Sequence, residues 1–125
     1  MRIEGHTPDE LLDAVAEMTG AINDAPTDGL EYEDEYYPPE RIRAYENASL
    51  DSGFRLYRLV ARHRHTGELG GHTVVAVDSE QEENAHQHDT SVVRAHRGHR
   101  LGLLLKAEMV LQLVRDEPRV TSVDT

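Results

Sequence analysis

The stretch from Val92 to Met109 reads VVRAHRGHRLGLLLKAEM, and it decides the fold class of this 125-residue chain. Two valines end a strand-like segment, a basic loop containing glycine follows, and a leucine-rich helical pattern starts near Leu101. Pro118 ends that helix, and RVTSVDT begins another strand. The stretch therefore predicts a strand, a crossover helix and a second strand of one sheet. The predicted apolar side of the helix consists of Leu101, Leu104, Leu105, Met109, Leu111 and Val114.

Two more helices are predicted upstream of this stretch. The first begins at a capping box in which Thr7 caps the helix, Pro8 takes the first helical position and Glu10 reaches back to the cap. The second helix starts near residues 38–39 and ends at Gly53. The apolar face of the first helix repeats at helical spacing through Leu11, Val15, Met18 and Ile22.

Three strand-like segments separate the second and third helices. They cover residues 54–63, 69–78 and 85–93, and the turn RHTGE joins the first two into a hairpin. An antiparallel hairpin together with a strand–helix–strand crossover places the chain in the α+β class, or mixed α/β.

The composition excludes several functional classes. The chain carries 24 acidic against 13 Lys and Arg residues, a net charge of −11, which argues against nucleic-acid binding because that affinity rests on basic surfaces. No apolar run is long enough to cross a membrane, and cysteine is absent, so thiol catalysis is excluded. We expect a cytoplasmic protein with neither nucleic-acid nor membrane partners.

The basic loop between strand and helix predicts an anion site. Unpaired N–H groups and the helix dipole favour negative charge at the start of a helix. Gly98 and Gly102 leave room for a ligand or for a closely packed strand. A phosphate site is favoured over a purely structural turn, and both interpretations stay open. The basic residues here are Arg94, Arg97, His99 and Arg100.

The same residues resemble the acyl-CoA loop of the GNAT superfamily of N-acetyltransferases. In that loop a strand ending in valine is followed by Arg/Gln-x-x-Gly-x-Gly/Ala, which opens a long helix. Val92, Arg97 and Gly102 match those positions, and Gly98 fills a position that is commonly glycine. Arg100 stands where the first glycine of the motif is expected, and its side chain crowds the pyrophosphate unless it turns outward or contacts a phosphate. The segments INDAP…EDE, HQHDTSVV and HRGHRLGLLLKAEM resemble actinobacterial members of the mycothiol-synthase-like kind.

The resemblance implies a GNAT-like central mixed sheet, mostly antiparallel and flanked by helices, that is truncated after the start of its fifth strand. Residues 1–125 would form a single acyl-CoA-binding domain, incomplete at its C-terminus. The implied co-substrate is acetyl-CoA, whose pantetheine arm pairs with the last strand and whose pyrophosphate is held by loop amides. The implied cofactor-binding residues are Val92, Val93, Arg97, Gly98, His99, Arg100, Leu101 and Gly102.

The implied activity is transfer of an acetyl group to an amine acceptor, a small amine or a protein N-terminus, by direct attack on the thioester. The tyrosine that usually protonates the leaving thiolate would lie beyond Thr125. A second hypothesis is therefore a non-catalytic CoA- or phosphate-binding module, such as a degenerate half of a tandem acetyltransferase. The exposed terminal strand also allows a homodimer.

Asp89 is the candidate catalytic base, since some GNAT members carry a carboxylate on this strand and burial could raise its pKa. The alternatives are that it pairs with a loop arginine or caps a turn. Strand alternation predicts that Asp89 and His88 lie on opposite faces. His86 and His88 share a face, but a third ligand is lacking, so no metal site is predicted.

The acidic segment TDGLEYEDEYY is the candidate border of the acceptor site. By resemblance, its carboxylates would attract a cationic amine and its tyrosines would wall the site. An ordinary solvated loop, with the tyrosines filling the core, is an equally good interpretation. The residues concerned are Glu31, Glu33, Asp34 and Glu35, with Tyr32, Tyr36 and Tyr37.

Overall fold

The computed structural model describes residues 1–23, 38–93, 96 and 100–124, with only the backbone at residues 22 and 23. The predicted order of helices and strands is confirmed from the first helix onward, with boundaries within a few residues of those expected, and a short strand, β1, precedes that helix. In chain order, the elements are β1 (Arg2–Glu4), α1 (Asp9–Asn23), α2 (Pro39–Asp51), β2 (Phe54–Arg62), β3 (Leu69–Asp78), β4 (Asn84–Val92), α3 (Leu101–Asp116) and β5 (Ser122–Asp124).

The five strands form one sheet in the order β1-β2-β3-β4-β5. All neighbours are antiparallel except β4 and β5, which run parallel because α3 crosses over between them. β5 pairs only with the first residues of β4, Asn84–His86. The mixed, mostly antiparallel sheet of the sequence prediction is thus confirmed, and so is its α+β class.

Helices cover both faces of the sheet, and each face has its own core. α1 and α2 pack on one face, where Val15, Met18 and Ile42 are buried against Val60. α3 packs on the other face, against Leu59 and its neighbours on β3 and β4. Adjacent residues of β2 thus serve opposite cores, as alternation along a strand requires.

Gly71, near the start of β3, determines how closely β3 approaches the end of β4. A Cβ atom on this residue would lie 2.8 Å from the carbonyl oxygen of Ser91 and 3.2 Å from the Cα of Val92. These backbone atoms cannot yield without separating the strands. Glycine therefore lets β4 lie close to β3 just before the loop.

The predicted capping box at the start of α1 is wrong. Thr7 is buried and donates its hydroxyl to a carboxylate oxygen of Glu46 at 2.5 Å, and its backbone N–H also points at that carboxylate, 3.0 Å from the nearer oxygen. Glu46, in α2, also contacts Arg43 and the buried Arg58. The threonine thus joins two helices through a buried charge rather than closing the first turn.

The predicted apolar side of α3 is only partly correct. Leu105, Met109 and Leu113 form the buried row, at a constant spacing of four residues. Leu104, Leu111 and Val114, assigned to that row, are 61%, 65% and 70% exposed and lie away from the sheet. The helix is apolar around most of its circumference, so periodicity alone does not select the face that packs. The exposed row consists of Leu103, Leu104, Val110, Leu111 and Val114.

Among the described helices, none combines the length and the apolar character that a membrane span requires.

Candidate functional site

The predicted phosphate loop is described in part. Arg94, Arg97, Gly98 and His99 lie outside the described residues, and so do Glu31–Glu35 and the tyrosines beside them. Val92, Val93, Arg100, Leu101 and Gly102 are described. Val92 ends β4 and Val93 follows it, while Leu101 begins α3. Gly102 of α3 lies against Val92, so both ends of the loop are at the C-terminal end of β4.

Arg100 has a left-handed backbone, with φ 56° and ψ 26°, immediately before α3. The left-handed region costs an L-residue about 1–2 kcal/mol, whereas glycine enters it freely. The position at which the GNAT-like motif calls for glycine is therefore the position whose backbone favours glycine. The arginine side chain is exposed and makes no capping hydrogen bond to the helix.

We expect Arg100→Gly to raise the free energy of unfolding by about 0.5–1 kcal/mol. Relief of the left-handed strain exceeds the extra freedom that glycine gives the unfolded chain, about 0.5–1 kcal/mol. The measurement is the urea midpoint at an unchanged slope. As the control, Lys106→Gly in the middle of α3 should cost about 1 kcal/mol. A lower midpoint for Arg100→Gly would contradict the argument.

Val93 is already bonded through both of its backbone groups. Its N–H donates to the carbonyl of Gly70 at 2.8 Å, and its carbonyl accepts from the N–H of His96 at 2.8 Å. Pairing of a pantetheine arm with the Val93 N–H, as the resemblance implies, requires the bond to Gly70 to break, whereas the Val93 carbonyl keeps a second lone pair. Gly102 faces β4 more openly, since a Cβ there would be in ordinary contact with Val92 and Thr90.

A cavity of about 400 Å³ lies beside the start of α3 and has a basic lining. The β2–β3 hairpin contributes Arg62, His63 and Arg64, and the loop contributes His96. The rings of His63 and His96 lie 5.8 Å apart. Sequence reasoning missed the hairpin's contribution, although the RHRH run at residues 62–65 was a visible signal.

A β-bulge interrupts β4 in the middle of the strand. Val74 of β3 pairs with Asp89, but its neighbour Val75 pairs with Gln87, so His88 is the extra residue. A bulge places two successive side chains on one face of the sheet. The prediction that His88 and Asp89 lie on opposite faces is therefore wrong.

Both side chains line a second cavity, of about 160 Å³, between the sheet and the first two helices. Its walls combine apolar, polar and titratable side chains from α1, α2, β2, β3 and β4. The lining residues are Thr19, Ile42, Tyr45, Arg58, His72, Val74, His88 and Asp89.

Asp89 is held at the mouth of this cavity by two neighbours. One carboxylate oxygen lies 2.9 Å from Nε2 of the buried His72, and the other accepts a hydrogen bond from the Ser91 hydroxyl at 2.6 Å. The hydrogen bond from His72 is the main reason that the pKa of Asp89 is lowered, although partial burial opposes it. The sequence led us to expect a raised pKa, and its partner is a histidine rather than a loop arginine.

His88 is positioned by aromatic neighbours. Its Nδ1 is hydrogen-bonded to the hydroxyl of Tyr45 on α2. The rings of Phe54 and His88 contact each other edge to face, with their centroids 6.5 Å apart. Burial, with a smaller contribution from His86, lowers the pKa of His88. Burial also raises the pKa of Tyr45. Both groups are therefore uncharged at neutral pH.

Within the described ranges, no group of three or more histidine or carboxylate side chains is arranged to hold a metal ion.

Comparison with known structures identifies the fold. A tandem GNAT protein from the clavulanic acid biosynthesis pathway is 32% identical over 96% of this chain, with a TM-score of 0.76. An acetyltransferase from Trypanosoma brucei (16% identity, TM-score 0.61) matches 98% of this chain and 80% of its own length. The PaiA N-acetyltransferase from Thermoplasma acidophilum, solved with coenzyme A, is 13% identical over 92% of this chain and 73% of its own, with a TM-score of 0.58.

The chain spans about a third of the tandem protein, 34% of its length. No protein-family model matches the sequence, and no curated protein matches it. The similarity to the tandem protein extends over nearly every element from β1 to β5, and the two other structures share the same arrangement. The chain therefore has the fold of the GNAT acetyltransferases.

Proposed function

We propose that this chain is an acetyl-CoA-dependent N-acetyltransferase domain of the GNAT superfamily, of the mycothiol-synthase-like type. The observation that carries the proposal is the course of β4. At its bulge, β4 places titratable side chains in the wall of the second cavity. The same strand leads directly into the basic loop before α3. A group-transfer enzyme needs such adjacency, because the reacting amine must meet an acyl group whose carrier is anchored nearby.

Acetyl-CoA binding is assigned to the loop and to the start of α3. The unpaired N–H groups there favour a pyrophosphate, which residues 97–102 would surround. The second cavity, on the α1 and α2 side of β4, is the proposed acceptor site. The bulge at His88 forms part of the wall of this cavity.

In this proposal, the chain promotes acetyl transfer by positioning the two substrates and by stabilising the charges that they carry or develop. The amine attacks the thioester carbonyl, and donors fixed in advance stabilise the oxyanion that forms. Asp89, ionised and half exposed, is suited to an amine that arrives as a cation. We propose a small amine or a protein N-terminus as acceptor, in the cytoplasm, with no nucleic-acid or membrane partner.

The test is titration of the full chain with acetyl-CoA in a calorimeter, followed by turnover with a panel of primary amines: ethanolamine, lysine, spermidine and glycinamide. Because the chain contains no cysteine, a thiol-reactive dye reports only the CoA that is released. Binding with thiol release supports the proposal. Binding without release from any amine supports the non-catalytic module instead, and absence of binding contradicts both.

A further inference from the structure

We infer that His88 is the general base of acetyl transfer and that Asp89 binds the positive charge of the acceptor amine. This inference rests on the proposed function and deepens it. It reassigns the role that the sequence suggested for Asp89. The bulge in β4 is its structural basis, because it turns both side chains toward the acceptor cavity.

Asp89 is arranged as an anion rather than as a base. Both of its oxygens already accept hydrogen bonds, from His72 and from Ser91. Protonation would cost at least one of these bonds, so the carboxylate keeps its charge. Its side chain is nevertheless 48% exposed, which leaves lone pairs for an ammonium group. A fixed carboxylate of this kind orients a cation but accepts its proton poorly.

His88 is arranged as a base. Its Nδ1 is engaged with the Tyr45 hydroxyl, which leaves Nε2 as the nitrogen outside that hydrogen bond. In the reacting tautomer, Nδ1–H donates to the tyrosine oxygen and Nε2 carries the lone pair. Edge contacts from Tyr45 and Phe54 hold the plane of the ring. An imidazole fixed in this way can remove a proton without reorienting.

The surroundings keep His88 neutral. The titratable groups that face it are Tyr45 from α2, Arg58 from β2, His72 from β3 and, on its own strand, His86 and Asp89. Burial and His86 lower its pKa below the ordinary histidine value of 6.5. The lone pair is therefore available at pH 7, whereas Asp89, whose pKa is also lowered, is ionised at that pH.

The proposed step balances as follows. The ammonium group bound at Asp89 first loses one proton to solvent. The neutral amine nitrogen then bonds to the carbonyl carbon of the thioester, and the carbon–sulfur bond breaks. The proton displaced from the nitrogen passes to Nε2 of His88, and the imidazolium then returns a proton to the thiolate or to solvent. The products are the N-acetylated amine and CoA, and the enzyme regains its starting protonation.

The experiment compares His88→Gln with His86→Gln, a matched control two residues away on the same strand. In the full chain with acetyl-CoA and the amine that turns over fastest, His88→Gln should lower kcat roughly 10²–10⁴-fold. The affinity for acetyl-CoA should not change. In a plot of kcat/KM against pH, the decrease at low pH (the acidic limb) should persist in His86→Gln and vanish in His88→Gln. Asp89→Asn should raise KM for the amine more than it lowers kcat.

A second variant separates chemistry from folding. His88→Ala should regain activity when free imidazole is added, which no structural role would produce. If the wild type turns over and His88→Gln keeps both its kcat and the acidic limb, the inference alone fails. Failure of imidazole to rescue His88→Ala also overturns it. If the wild type releases no thiol with any amine, the proposed function fails and the inference falls with it.

Discussion

Glu46→Ala is expected to lower the free energy of unfolding by about 3–5 kcal/mol, because it removes one member of a buried ion pair and the acceptor of two buried hydrogen bonds. The Glu46 carboxylate is 1% exposed and lies 3.8 Å from the guanidinium of Arg58, whose side chain is 6% exposed. It also accepts hydrogen bonds from both polar groups of Thr7. The variant thus loses the buried carboxylate that joins the start of α1 to the middle of α2.

Chemical unfolding in urea measures this effect. Glu17→Ala is the matched control, since Glu17 is an exposed glutamate of α1, and its replacement should change the unfolding free energy by no more than about 0.5 kcal/mol. Glu46→Gln should fall between the two, since it keeps the shape and some hydrogen bonds but not the charge. Equal midpoints for Glu46→Ala and Glu17→Ala would show that the buried cluster contributes nothing net.

Leu105→Ala is expected to cost about 2–5 kcal/mol, the usual range for truncating a buried leucine. Leu105 belongs to the core beneath α3, together with Met109 and Leu113. The adjacent Leu104→Ala should change the unfolding free energy by about 0.5 kcal/mol or less, because Leu104 is mostly exposed. Thermal or urea unfolding of the two variants, side by side, decides which side of α3 faces the sheet. Similar losses for both would contradict the described orientation.

The sequence predicted the elements because each has a local signal. Alternation marks β2, the turn RHTGE marks β3 as its hairpin partner, and prolines mark the start of α2 and the end of α3. The errors arose where a distant partner decides the outcome. Thr7 has the right residue type for a cap, but its hydroxyl donates a hydrogen bond to the carboxylate of Glu46, 39 positions away.

The sequence singled out the strand β4 and the loop after it, but not how the side chains of β4 are arranged. The loop after β4 and the strand leading to it were recognised from residue type and spacing. The bulge was not, because one extra residue in a strand becomes visible only when the partner register is known. The pairing of Asp89 with His72 depends on that register, since it joins two neighbouring strands. The chemistry of both residues therefore follows from the pairing of β3 with β4, not from composition.

The exposed apolar row of α3 has a consequence for handling the protein. Its side chains favour self-association, while the net charge of −11 keeps molecules apart in dilute buffer. At 0.1 M ionic strength, salt screens that repulsion at separations beyond about 10 Å, but it does not weaken the apolar attraction. The colloidal behaviour of this acidic protein is thus governed by ionic strength, and concentrated samples keep best in low salt well above the isoelectric point.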